Sequence, residues 1–184
     1  MTQETPYRQK MQEIEAADEI FQAGWKSLRP NHSARETYRL LDREYEKRNQ
    51  VVAEFYELLS PLWGPFLSGA PKAVDAVLDF LEVDVPAFRV GYAKEWFYRR
   101  LKRVPLSEQQ RSRLLDIAIA ILGQPGYRRE WLALSRLLIV LADGTLISRL
   151  ERLSRLGETD FVKRRATLVL EKVIANSKVY RGEP

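Results

Sequence analysis

The chain predicts an all-α protein: an N-terminal antiparallel helical hairpin, then a short solenoid of about three stacked helix pairs. Three observations carry this. Apolar residues recur at helical spacing through most of the chain. No stretch alternates with period two between turn signals, so no strand is expected. The loop Gly123-x-x-x-Tyr127 recurs as Gly157-x-x-x-Phe161, a step on the order of 34 residues. Stacked two-helix units produce such a step, because one helical pair cannot bury its apolar faces alone.

The elements follow in order. Residues 1–60 form the predicted hairpin. Its first helix runs from about Thr5 to Trp25, with Tyr7, Met11, Ile14, Phe21 and Trp25 on one stripe and Asp18 interrupting it. Arg29 to Ser33 is a turn, and Ser33 with Glu36 makes a capping box for the second helix, about Ala34 to Leu59. Tyr38, Leu41, Tyr45, Val52, Phe55 and Leu59 form that helix's stripe, with Arg48 as its polar intruder. Antiparallel counting sets Arg48 near Glu15 and Asp18 near Tyr45 or Arg43. The two intruders either meet across the seam or, the expectation placed first, point outward at its edge.

Residues 61–71 carry Pro61, Gly64, Pro65, Gly69 and Pro71. These forbid a long regular helix and predict a joint, and Leu62, Trp63, Phe66 and Leu67 make it a packed one. Residues 72–176 hold six shorter helices in three pairs: Lys72 to Leu81 with Ala87 to Arg103, Ser107 to Leu122 with Tyr127 to Leu141, and Gly144 to Leu156 with Thr159 to Asn176. Asp84-Val85-Pro86, Gly123-Gln124-Pro125-Gly126 and Gly157-Glu158 split the pairs. Residues 177–184 read as a tail.

Composition narrows the function classes. The 184 residues suffice for one domain with a real core. Zero Cys excludes disulfides, thiolate catalysis and Cys-based metal sites, and fits a cytoplasmic location. A single His, His32, argues against a His-based metal site or a His-led triad. No cofactor is expected, no signal peptide is visible at the N-terminus, and no apolar run is long enough for a bilayer. The net charge of +5 points to an acidic partner, nucleic acid among them.

The candidate binding residues lie on the second helix of each pair. Tyr92, Trp96, Arg99 and Arg103 line up at helical steps, and Arg100 and Lys102 extend the charge. A Trp flanked by Arg can stack on a base or seat a phosphate; it can equally pack beneath a neighbouring helix, the reading placed first. Arg128 and Arg129 open the next second helix, and Lys163, Arg164 and Arg165 the last. Stacking would align Arg99, Arg128 and Lys163 as one basic ridge. Asp75, Asp79, Glu82 and Asp84 form an acidic surface patch, since no convergent partners for a metal are evident.

The third pair resembles a HEAT repeat. Its first helix carries Leu146, Ile147, Leu150, Leu153 and Leu156; its second reads Val162-Lys163-Arg164-Arg165-Ala166, then Leu170 and Val173. The small-then-large step recurs as Ala133 and Leu137, and more loosely as Ala93 and Phe97. The likeness implies an armadillo-type α-solenoid that binds proteins or nucleic acids, and it transfers no catalytic residue. The first expectation is therefore a non-enzymatic protein-binding or scaffold protein, with no membrane contact and a homodimer through the N-terminal hairpin as a further expectation. The alternative is a nucleic-acid-binding protein contacting phosphates through the basic residues above. Last comes a HEAT-like DNA glycosylase, for which Trp96, Trp131, Asp116 and Asp143 supply the residue types.

Overall fold

A computed structural model describes residues 5–83, 88–124 and 129–181. The described residues form nine α-helices and no strand: α1 (Pro6–Leu28), α2 (Ala34–Leu40), α3 (Asp42–Leu67), α4 (Pro71–Glu82), α5 (Val90–Leu101), α6 (Glu108–Leu122), α7 (Trp131–Val140), α8 (Gly144–Leu156) and α9 (Asp160–Arg181). Asp84–Ala87 and Pro125–Arg128, which hold two of the expected pair-splitting turns, lie outside the described residues, as do 182–184.

Thr5 caps α1, with Pro6 at a position where a missing N–H costs nothing. The Ser33 hydroxyl accepts from the Glu36 N–H at 3.3 Å, and the Ser33 N–H donates to the Glu36 carboxylate at 2.9 Å, the reciprocal capping box. The helix it starts is shorter than expected. It stops at Leu40, because Leu41 leaves helical geometry (φ −106°, ψ 21°) before α3 begins. Leu41 is buried against Gly24 of α1, where a Cβ would stand 2.7 Å from the Leu41 side chain. A side chain at Gly24 would force the Leu41 side chain to shift.

α1 packs along α3 through Tyr7, Met11, Ile14, Val52, Phe55 and Leu59, all buried. Arg48 and Asp18 meet at this seam, 2.8 Å apart, so the intruders answer one another rather than point outward. Arg48 is only 4% exposed, with its guanidinium 4.0 Å from the Phe21 ring and 4.1 Å from the Phe88 ring.

The expected break at 61–67 is absent: α3 continues through Pro61 and Pro65 to Leu67. Proline at 61 denies the Glu57 carbonyl its helical N–H partner. The Ser60 hydroxyl donates to that carbonyl instead, at 3.0 Å. The chain turns only at Ser68–Ala70, where Gly69 takes φ +77°. The helix expected to end at Asn176 also runs on to Arg181.

Beyond this turn the helices form two rows. α4, α6 and α8 neighbour one another in chain order, and so do α5, α7 and α9. Contacts between successive helices of a row join positions roughly 34 residues apart. Asp79 pairs with Arg113 and Asp116 with Arg149 in one row; Glu95 pairs with Arg129, and Trp131 meets Arg165, in the other. Ala93, Ala133 and Ala166 are buried. One continuous core runs from Tyr7 to Val173 through both rows.

Candidate nucleic-acid or protein interface on the second helices

The two rows treat charge differently. Along α4, α6 and α8 several charges meet a partner across the row, although exposed Lys72, Glu108 and Arg152 make no ion pair among the described residues. Arg113 bonds Asp79 at 2.7 Å and also Glu82; Gln110 donates to Asp75 at 2.8 Å; Arg149 holds Asp116 at 2.7 Å. The acidic patch thus has basic and amide partners, while Asp84 lies outside the described residues. Asp143 caps α8 by accepting from the Leu146 N–H at 2.7 Å and pairs with Arg111 at 3.0 Å. Burial pushes the Asp143 carboxyl upward, but these bonds outweigh it and hold the group below its usual value.

The α5 side carries a different arrangement. Trp96 packs beneath α3: its ring lies 5.6 Å from Trp63 and 5.0 Å from Phe97, and Arg100 covers it at 3.9 Å. Tyr92 is exposed, yet Arg129 sits 3.7 Å from its ring. Glu95 holds both Arg99 and Arg129, the latter at 3.3 Å. Lys102, Arg103 and Arg136 make no ion pair among the described residues. Burial, and after it the positive charge of Arg136, Arg99 and Arg103, holds the Lys102 amine below its ordinary value. Arg136 belongs to this cluster, although sequence reasoning did not select it. Applying the 34-residue step to Lys102 would have found it.

The last basic run divides. Arg165 is 6% exposed, so it leaves the surface set. It donates to the Gln124 carbonyl at 3.1 Å and lies 4.6 Å from the Trp131 ring and 4.3 Å from the Phe161 ring, which replaces lost hydration with a carbonyl and two π-faces. Lys163 folds its stem toward the α8–α9 turn at Gly157, and Arg164 is exposed. Arg128 lies outside the described residues. Arg99, Lys102, Arg103 and Arg136 thus belong to the neighbouring α5 and α7 and the turn after α5, while Lys163 and Arg165 turn to other partners.

Exposed apolar side chains interleave with these cations. Leu132, Arg136 and Val140 form one outward stripe of α7, with Leu132 51% and Val140 56% exposed. Phe161 and Leu168 are exposed on α9. α7 carries no acidic residue. The glycosylase residue set does not converge: Asp116 and Asp143 serve ion pairs with α8 and α6, while Trp96 and Trp131 pack beneath Arg100 and Arg165. Among the described residues, no three His, Asp or Glu side chains gather as a metal set, and no helix is long and apolar enough to cross a membrane. In the N-terminal helices, Phe21, Trp25, Tyr38 and Tyr45 spend ring faces on one another, with Trp25 and Tyr38 4.7 Å apart.

No protein-family model, no curated protein and no solved structure matches this chain.

Proposed function

We propose that the chain is a non-enzymatic protein-binding or scaffold protein, a hairpin joined to a short HEAT-like array, whose ligand surface is the outward face of α5, α7 and α9. One observation carries the reading: about half-exposed Leu132 and Val140 bracket Arg136 on a helix without acidic residues. Scattered exposed apolar residues are ordinary, but a row of them between cations lacking ion-pair partners suits a docking surface. Contact partners stepping by roughly 34 residues along both rows support the repeat reading. A photo-crosslinking side chain placed at Leu132 or Val140 tests it against one placed at Asp116 or Arg149. Discrete adducts from the first pair alone are expected; equal adducts from both pairs refute it.

The second reading is nucleic-acid binding through its phosphates, favoured by exposed Arg99, Arg103 and Arg136 along the neighbouring α5 and α7. Phosphate contacts predict an affinity for generic duplex that falls steeply with salt. Charge reversal at Arg99 and Arg103 together should abolish it. A docking surface for protein predicts no duplex binding even at low salt.

A further inference from the structure

We infer that the ligand of this face is an acidic amphipathic helix of a partner protein, lying along α7 with its apolar stripe on Leu132, Val140 and Leu168 and its carboxylates toward Lys102, Arg103 and Arg136. This rests on the protein-binding reading and names its ligand.

The geometry has a floor and a wall. Leu132 and Val140 are two helical turns apart, about 12 Å along α7. On α9, Phe161 and Leu168 stand four residues before and three after Arg165, the side chain that reaches α7 at Trp131. That spacing puts them on the α7 side of α9. The apolar floor therefore spans two neighbouring helices, and a ligand helix with apolar residues seven or eight apart, about 10–12 Å, covers it.

The wall is the C-terminal end of α5. Lys102 and Arg103 stand there, and Arg136, one step of roughly 34 residues after Lys102, lies on the adjoining helix α7. The acid on the outer side of α5 is Glu95, already held by Arg99 and Arg129. On α9, exposed Asp160 and Glu171 alternate with exposed Arg164 and Lys172, so that flank carries both signs of charge. The excess charge is thus on the α5 side and is positive. Its complement is a helix with carboxylates along one flank of an apolar stripe. A nucleic-acid duplex satisfies the cations but leaves Leu132, Val140 and Leu168 facing a polar backbone.

The test uses a labelled synthetic helix of about 18 residues, with Leu at i, i+4, i+7 and i+11 and Glu on one flank. A second peptide carries Lys at the Glu positions. Fluorescence anisotropy with the full chain should show the Glu peptide binding at least about ten-fold tighter than the Lys peptide. Lys102→Glu with Arg136→Glu should reverse that order. Leu132→Ser with Leu168→Ser should weaken both peptides about ten-fold or more. All four side chains are exposed or half-buried, and circular dichroism of each variant verifies the fold. Equal affinities, an order unmoved by the charge reversals, or no Glu-peptide binding at about 1 mM overturns the inference. If crosslinks from Leu132 and Val140 persist while the Glu peptide fails, the protein-binding reading stands and only the acidic helix falls. If those crosslinks are absent as well, both fall. Duplex DNA displacing the Glu peptide at low salt gives the face to nucleic acid and overturns the inference.

Discussion

Arg48→Ala should be among the most damaging single changes in the N-terminal half. Arg48 is 4% exposed, 2.8 Å from Asp18, and lies over two rings at 4.0 and 4.1 Å. Removing one partner of a buried pair costs about 3–5 kcal/mol when the other is left uncompensated. The Asp18 side chain is 26% exposed, so water recovers part of that cost. Loss of the two cation–π contacts, each about 0.5–2 kcal/mol, acts in the other direction. The contributions overlap, which sets the expectation at about 3 kcal/mol. With a urea m-value of about 2 kcal/mol/M, the midpoint should fall by about 1.5 M without a change in slope. Asp18→Asn should cost about 1 kcal/mol, because an amide oxygen still accepts from the guanidinium. The double variant should show coupling above about 0.5 kcal/mol. A midpoint shift below about 0.3 M for Arg48→Ala, or strict additivity of the two changes, would refute the reasoning.

Three further outcomes are expected. Gly69→Ala should lower stability by about 1–3 kcal/mol in thermal melts, since φ is +77° and the new Cβ would stand 2.8 Å from Pro105 Cγ. Asp143→Asn should keep the α8 cap but flatten the acid limb of stability against pH. The carboxyl is held below its usual value when folded, so its contribution is full above about pH 4 and is lost as pH falls further; an unchanged acid limb in Asp143→Asn would contradict this. Ala166→Leu should cost about 1–3 kcal/mol by overpacking a fully buried position, measured by urea unfolding.

The stripes of α1 and α3 were readable because helical burial imposes its period on the side chains, and the Ser33–Glu36 box because capping is local chemistry. Two departures came from contacts no local pattern displays. Leu41 is a good helix former, yet it breaks the helix by wedging against Gly24. That break alters the register, which is why counting paired Arg48 with Glu15 instead of Asp18. Pro61 reads as a stop in the sequence, because Ser60 appears there only as a neighbour, not as a donor to the carbonyl that proline strands.

At the candidate interface, the outward position of Arg99 was legible from spacing on one helix, but the helix expected to reach Arg103 ends at Leu101, so Arg103 is exposed in the turn after it and not on the stripe. The burial of Arg165 was not legible, because it depends on Trp131 in the adjacent helix of the row. Arg136 stayed hidden for the same reason. It is an isolated cation in an apolar helix and gains meaning only beside Lys102.

The contact between Trp63 and Trp96 has an optical consequence. Two indoles with centroids 5.6 Å apart and planes 29° from parallel couple their electronic transitions. A split circular-dichroism band should therefore report whether the end of α3 remains seated on α5. The chain carries its own gauge of that joint, read without a label and at the same time as helix content.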